Sequence, residues 1–470
     1  MIALKRARVG AAVLGMAVAL AARAEEPDAH PPKADTSAEI EAKKSYAIPA
    51  AEILVFQYLL NRFDRRVYGA DYGSNLSTVR RNLRGPWVVD NDPFKVNQFL
   101  HPYAGSMYYG FARSAGLNFW ESAGYAFAGS AVWEIAGETT PPSRNDQIAT
   151  GIAGSFLGES FYRMASLLLE QSDGPQLWRE LAAAAISPPM AANRYGFGDR
   201  FSALLNSHSP VYYSRLQIGT SGTTQNEPGT SSQPKRGEVQ ADYALDYGLP
   251  GKPGYTYDRP FDYFSFQVTG SSANVVESLS NRGLLFGRAY DVGDRYRGIW
   301  GLYGSYDYIA PQLFRVSSTA LSLGTTGQFN ASESVALQGS LLAGLGYAGV
   351  GTLHGRSADT PDTDYHYGVT PQALAAFRVI FGKQASLDLT AREFFVSHVA
   401  GASPGGRDNI ARLDLTFTWR VYQQHGVALK YLWSRRDATF PGVSDLSQTR
   451  GTFGIYYAML GHDRFGAVEW

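Results

Sequence analysis

Residues 411–421 read ARLDLTFTWRV, and this stretch decides the fold. Ala411, Leu413, Leu415, Phe417, Trp419 and Val421 share one parity, while Arg412, Asp414, Thr416, Thr418 and Arg420 share the other. Alternation of period two over this length predicts a strand with one apolar and one wet face. The pattern recurs upstream. Ala241, Tyr243, Leu245, Tyr247 and Leu249 alternate with Asp242 and Asp246, and Val335, Leu337, Leu341, Leu345 and Tyr347 share a face. Downstream, Val427, Leu429, Tyr431 and Trp433 alternate with Lys430 and Ser434, and Phe453, Ile455, Tyr457 and Met459 form the last run.

About twelve such runs lie between residues 209 and 460, an even number of the kind that closed bacterial barrels carry. Tight turns (GDR at 293–295, NASES at 330–334, GKQ at 382–384, QHG at 424–426) alternate with long polar links at 352–365, 399–409 and 436–448. Short periplasmic turns and long outer loops are the pattern of a transmembrane antiparallel β-barrel, with both barrel termini on the periplasmic side. One link fits poorly: PGKPGYTYDRP at 250–260 is long for a periplasmic turn. A soluble sandwich is the competing architecture, but its strands run about five or six residues, shorter than these. Composition agrees with the barrel: the 470 residues include 50 Gly, 29 Tyr and 25 Phe, with no cysteine and zero formal net charge. A neutral chain without a basic run argues against nucleic acid as a partner.

The first 24 residues, MIALKRARVGAAVLGMAVALAARA, read as a secretory signal peptide: a basic start, a short apolar run and an A-x-A exit. No disulfide and no lipid-anchoring cysteine are possible. A charged, Pro-containing flexible leader is expected over 25–49, a helical domain over 50–205 and the barrel over 206–470. In the helical domain, NQFLHPYAGSMYYGFARSAG at 97–116 has the dense aromatics of an active-site strand, but Pro102 suits the first turn of a helix and Gly116 its C-terminal cap. Ser106, Gly110 and Ser114 recur every fourth residue, as do Thr150, Gly154 and Gly158, giving smooth stripes along which helices approach closely.

The phrases DNDPFKVNQFLHPYAGSMYYGFARSAGLNFWESAGYAFAGSAVWE, GETTPPSRNDQIATGIAGSFLGESFYR and SPPMAANRYGFG resemble the bacterial family known as domain of unknown function 3943. The resemblance runs from about residue 90 to 198. It implies an exported Gram-negative protein in which a helical unit is joined to an outer-membrane barrel, and it supplies no activity and no catalytic residues.

Few ionisable groups interrupt these helices: His101, Glu134, Glu138, Asp146, Glu159 and Arg163. Each has a structural reading. Asp146 completes a capping box with Ser143, and Glu159 with Arg163 forms an i,i+4 pair. The sharper reading groups His101, Glu134 and Asp146 as an acid–base or cation site. Their spacing matches no compact ligand motif, so neither a metal nor any other cofactor is assigned, and there is no serine-hydrolase elbow or phosphate loop. Asp90-Asn91-Asp92 resembles a calcium loop without its distal Glu. In the barrel, Asp242, Asp246, Asp388, Arg392, Arg412, Asp414, Arg420, Lys430 and Arg435 are expected to face the lumen. Both signs occur there, which suits internal salt bridging or docking of a plug rather than a selective pore.

The expected function is a channel, transport or structural role in the outer membrane, with the helices as a periplasmic or plug-like domain. The alternative is a membrane-embedded enzyme acting on envelope lipid or cell-wall material through His101, Glu134 and Asp146. Long outer loops leave an adhesin or receptor as a third possibility. The expected partners are outer-membrane lipid and, through the C-terminal strand, the barrel-assembly machinery. The oligomeric state is left open.

Overall fold

The computed structural model describes residues 43–67, 69–90, 92–170, 176–201, 207–229, 235–352, 365–398, 400–401, 406–441 and 444–470. The expected signal peptide and most of the leader lie outside these. The chain divides into two compact units, one ending at Ser207 and one beginning at His208.

In the first unit, helices α1 (Ala47–Val67), α2 (Leu76–Arg84), α3 (His101–Ser114), α4 (Phe119–Val132), α5 (Arg144–Ile148), α6 (Gly154–Glu170), α7 (Gln176–Ile186) and α8 (Pro188–Phe197) follow one another. Their starts are written in the sequence. Asn75 and Asn118 cap α2 and α4 with reciprocal capping boxes to Thr78 and Glu121, and Ser143 caps α5 through the Asp146 amide. The stretch at 97–116 is helical. Its Pro102 sits in the first turn of α3, and Gly116 takes φ +90° just past its end. Helix α3 crosses α6 at glycines: a Cβ on Gly154 would meet the Gly105 backbone, and one on Gly158 would meet the Tyr109 ring. Gly105, which the every-fourth-residue stripe passes over, makes the closest approach among the helical glycines, because a Cβ there would overlap the Thr150 carbonyl.

Three segments widen from α to π geometry: Val96–Leu100, Trp133–Gly137 and Ala149–Ala153. Such turns are rare and recur at functional sites.

The second unit is a closed antiparallel barrel of twelve strands. They are β1 (Tyr212–Glu227), β2 (Gly237–Tyr247), β3 (Phe264–Ser271), β4 (Ser278–Val292), β5 (Tyr296–Ile309), β6 (Phe314–Ser332), β7 (Val335–Thr352), β8 (Tyr365–Phe381), β9 (Ala385–Val396), β11 (Arg407–Tyr422), β12 (His425–Thr439) and β13 (Leu446–Leu460), while β10 (Ala400–Gly401) is a two-residue addition paired with β8. Neighbours in sequence pair in order, and β1 pairs with β13 from Arg215↔Leu460 onward, so the sheet closes. Leu413, Leu415, Phe417 and Trp419 point outward while Thr416 and Thr418 are buried inside, as the alternation requires. Outward Leu321, Leu323, Leu341, Leu345, Val369 and Ile455 are exposed and form an apolar belt. Phe329, Phe381, Trp419 and Tyr422 gather at the short-turn end, the position of an aromatic girdle.

Two features depart from expectation. Arg435 has the parity of Trp433 and points outward, exposed, pairing with Asp437; Arg436 takes the inward place. The last strand ends at Leu460, and the tail 461–470 turns back into the short-turn mouth of the barrel, so Trp470 is not on a strand. The long 250–260 link also folds inward: Tyr257 packs against the lumen cluster of Tyr263, Leu284, Ile299, Tyr303 and Leu342.

Leu341→Arg, in the middle of the outward belt, is expected to cost about 2–4 kcal/mol of folding free energy in lipid vesicles, and Val292→Arg, beside a turn, no more than about 1 kcal/mol. Equal costs at the two depths would argue against a bilayer-spanning belt.

Candidate functional site: a buried His–carboxylate cluster

Inside the barrel, most of the expected lumen charges are matched pairwise across the space. Arg378 bridges Asp388 at 2.6 Å and Asp246 at 3.0 Å, and Arg215 meets Asp388 at 3.1 Å. Lys430 lies 3.0 Å from Asp414 and 3.3 Å from Asp242, and Arg392 pairs with Asp307. Arg412 donates to Ser434 Oγ at 3.2 Å, and Arg420 donates to the His462 carbonyl of the tail at 2.8 Å. Pairs not anticipated complete the set: Arg436 with Asp408, itself 2.6 Å from His366 Nε2, and Arg450 with Glu238. Inward parity marked Arg436, Asp408 and Arg450 as readily as the residues singled out. The lumen is closed at two levels. An apolar layer of Ile309, Phe314, Val316, Val350, Phe394 and Ile410 fills it toward the long-loop end. The tail closes the other mouth, with Gln328 and Gln338 donating to the Val468 and Gly466 carbonyls at 2.7 Å each and Phe465 fully buried. Between them a cavity of about 20 Å³, room for about one water, is lined by Arg282, Asp307, Gln372 and Arg392 together with Leu342 and Phe394.

The helical unit treats its charges in two ways. Glu159 on α6 is buried and answered: Arg163 Nε donates to it at 2.8 Å, Arg113 Nε at 2.9 Å and Tyr109 Oη at 2.7 Å. Those guanidiniums outweigh the burial that opposes ionisation and hold its carboxyl below the usual range. This is an ion network that serves packing.

The other group is the one the sequence reading assembled from distant positions. His101, Glu134 and Asp146 each bring one ligating atom to within 4.8 Å of the others, and all three are buried. His101 opens α3 directly after the Val96–Leu100 π-turn, Glu134 lies inside the π-turn that ends α4, and Asp146 lies on α5 just before the third π-turn. A surrounding layer of donors orients them. His101 Nδ1 is 3.2 Å from Thr150 Oγ1, the Ser143 amide donates to Glu134 Oε2 at 2.9 Å, and Asn145 Nδ2 donates to Asp146 Oδ1 at 3.1 Å. Asn145 also donates to Asp90 Oδ1 at 2.6 Å, and Asn97 to the same oxygen at 2.7 Å. Asn82 holds the chain around Glu134 by donating to the Thr140 carbonyl at 2.9 Å. Asn82, Asn97 and Asn145 were not singled out in the sequence, and Thr150 was read only as part of a packing stripe; being uncharged, they carry no sequence signal of a site. Asp92 belongs to the surroundings, while Asn91 of the calcium-like run lies outside the described residues.

Here burial dominates, and neighbouring carboxylates add to it. Glu134 is pushed well above the usual carboxylate range by burial and by Glu138, with only the Ser143 amide among its leading opponents. Asp146 is likewise pushed well up by burial, Asp90 and Glu134. Burial raises Glu138 to about 7 against the hydrogen bond from Trp133, and raises Asp92 to about 6. Burial lowers His101 to about 4, which keeps the imidazole neutral. Such a set, one neutral imidazole among carboxylates that resist ionising, can hold a proton, act as an acid–base pair or ligate a cation.

Residues 86–189, which contain all three side chains, match the family described as Domain of unknown function (DUF3943). No curated protein matches the chain. Among solved structures, the NanC porin is 8% identical over 52% of this chain and 98% of its own, with a TM-score of 0.26. The KdgM porin is 9% identical over 52% and 98% with a TM-score of 0.22, and OmpT of Vibrio cholerae is 8% identical over 53% and 96% with a TM-score of 0.21.

A raised carboxyl favours the folded state when protonated, so the stability that Glu138 contributes is present below its unfolded value near 4.5 and is lost as pH rises through about 7. In chelator-treated protein, Glu138→Gln is therefore expected to stabilise the helical unit by up to a few kcal/mol at pH 8 and hardly at all at pH 4.5. Thermal melts followed by the helical circular-dichroism signal at the two values check this.

Proposed function

We propose that this protein is an outer-membrane barrel that passes a small solute and rests closed, its own C-terminal tail serving as a gate. The observation that carries the reading is the tail seated in the short-turn mouth by a few hydrogen bonds to Gln328 and Gln338 and by the Trp470 indole donating to the Asp294 carbonyl at 3.0 Å. Release is not free: besides these hydrogen bonds the seat buries Phe465, Ala467 and Val468 against Tyr213 and Leu249, worth about 1.5–3 kcal/mol for each large apolar side chain, so opening needs a trigger. Behind it lie a water-sized cavity and side chains of both signs, so passage of a small polar solute needs the apolar layer and the facing ion pairs to part as well. Outer-membrane lipid is the medium of the apolar belt, and in this reading the short-turn end and the helical unit face the periplasm, where β13 engages the assembly machinery.

A second reading, an enzyme of the envelope, is favoured by one observation, the convergence of His101, Glu134 and Asp146, all buried, in the helical unit.

Planar-bilayer recordings test the first. The intact chain is expected to be nearly silent and a chain lacking residues 461–470 to conduct steadily. A truncated chain that folds, by heat-modifiable migration, yet stays silent would sink the tail as the gate. If only deletion of residues 25–205 opened the pore, gating would pass to the helical unit.

A further inference from the structure

We infer that His101, Glu134 and Asp146 form a binding site for one first-row divalent cation, Mn²⁺ or Zn²⁺, buried in the helical unit. This inference stands apart from the transport reading, since nothing in it involves the barrel.

The argument begins with what each side chain leaves open. Nδ1 of His101 is engaged by Thr150 Oγ1, and in the tautomer whose Nδ1–H donates to that hydroxyl Nε2 presents its lone pair to the carboxylates. That atom lies 3.8 Å from Asp146 Oδ2. The separation is too long for a hydrogen bond. Two atoms bound to one cation at about 2.1 Å stand roughly 3.0–3.4 Å apart, so a modest contraction would bring this pair to ligating distance. Glu134 supplies the second observation. Its Oε2 accepts from the Ser143 amide, while its Oε1 is buried with no hydrogen-bond partner among the described residues. A buried carboxylate oxygen left unpaired costs about 1–3 kcal/mol, and more when charged. A cation between Glu134 Oε1, Asp146 Oδ2 and His101 Nε2 removes that cost and the repulsion between the two carboxylates together.

The surroundings are built as metal sites are. Each ligating side chain is fixed through its other polar atom: His101 by Thr150, Glu134 by Ser143, Asp146 by Asn145. Asn145 also ties in Asp90, which Asn97 holds from the segment that leads into His101. The contrast with Glu159 is the strongest internal control. That carboxylate is as deeply buried, and two arginines answer it. No Lys or Arg is paired with Glu134 or Asp146 among the described residues; the one basic group beside them, His101, is neutral. One nitrogen and two carboxylate oxygens point away from Ca²⁺, which takes six to eight oxygens, and toward a transition ion with one or more positions left to water.

The test uses the full-length, tag-free mature chain in detergent, stripped with chelator, then titrated with Mn²⁺ or Zn²⁺ alone. Binding is read by calorimetry and, for Mn²⁺, by loss of the free-ion electron paramagnetic resonance signal. One ion per chain is expected, bound at least tenfold more weakly by Glu134→Gln and by Asp146→Asn. Both variants keep the shape of the side chain and are expected to fold, with unchanged helical circular dichroism. Stoichiometric binding that both variants retain would overturn the site, as would the absence of binding of either ion by a folded wild-type chain. A melt with and without Mn²⁺ gives an independent reading. The wild-type helical transition should rise on adding the ion and the Glu134→Gln transition should not; an equal rise in both would count against these ligands. Glu159→Gln, outside the cluster, serves as the variant that leaves ion binding unchanged if it folds, and a tenfold loss in that folded variant would mean the ion sits elsewhere.

Discussion

Pairing of β1 with β13 is the contact on which the barrel depends. It removes the last two sheet edges, so each strand's amides and carbonyls find partners within the sheet, the condition for backbone at membrane depth. Once the sheet closes, parity leaves each side chain one of two environments. Leucine, valine and aromatic rings go to the outside, and the inside receives the charges. A twelve-strand circumference is narrow enough that facing side chains touch, so Arg215 reaches Asp388 and Arg378 reaches Asp246 across the interior. The matched ladder is thus a consequence of closure at this width. Leaving either partner alone costs about 3–5 kcal/mol, far more than the pair itself contributes. The neutral overall charge of the chain fits an interior that must balance itself.

The helical unit faces the same electrostatic problem without the same geometry. Its helices are held together by close backbone approach at Gly105, Gly154 and Gly158, which spends no volume on side chains. Tight packing of this kind excludes water from whatever polar groups lie between the helices. Glu159 is accommodated because Arg163 one turn along and Arg113 on α3 can both reach it. Around Glu134 the nearby helices supply asparagines, a serine and a threonine instead. These orient carboxylates but cannot neutralise them, and the burden falls on protons or on a cation.

How much of this was legible before the structure follows from the range of each signal. Strand parity is a local property, and it reads correctly in β11, where Arg412, Asp414, Thr416, Thr418 and Arg420 fall on the inner side. It fails at Arg435 only because parity was not carried through from Trp433, its outward neighbour two residues away. Helix caps at Asn118 and Ser143 are equally local. The seating of the tail was illegible, since the mixed stretch GHDRFGAVEW at 461–470 shows neither strand alternation nor helical spacing that would place it. The partners of the lumen charges were illegible too: Arg215 and Asp388 are far apart in sequence, and only the barrel's curvature selects them.

The cluster at His101 shows why a spacing rule can miss a site that residue type suggests. In a regular helix, ligands that share a face stand three or four residues apart, and a search for such pairs returns nothing here. Each of the three elements instead passes through a π-turn, which adds a residue to the turn and rotates everything beyond it by about 100° relative to an unbroken helix. The three widened turns fall at His101, at Glu134 and just past Asp146, so the re-aimed side chains come from three different segments and meet at one point. The widening weakens three helices at once, and the third widened turn also carries Thr150, whose carbonyl lies against Gly105, so helix packing and the cluster share that turn. What the contact at Gly105 leaves unexplained is that one imidazole and two carboxylates meet at the same point, and that convergence is what a cation site accounts for.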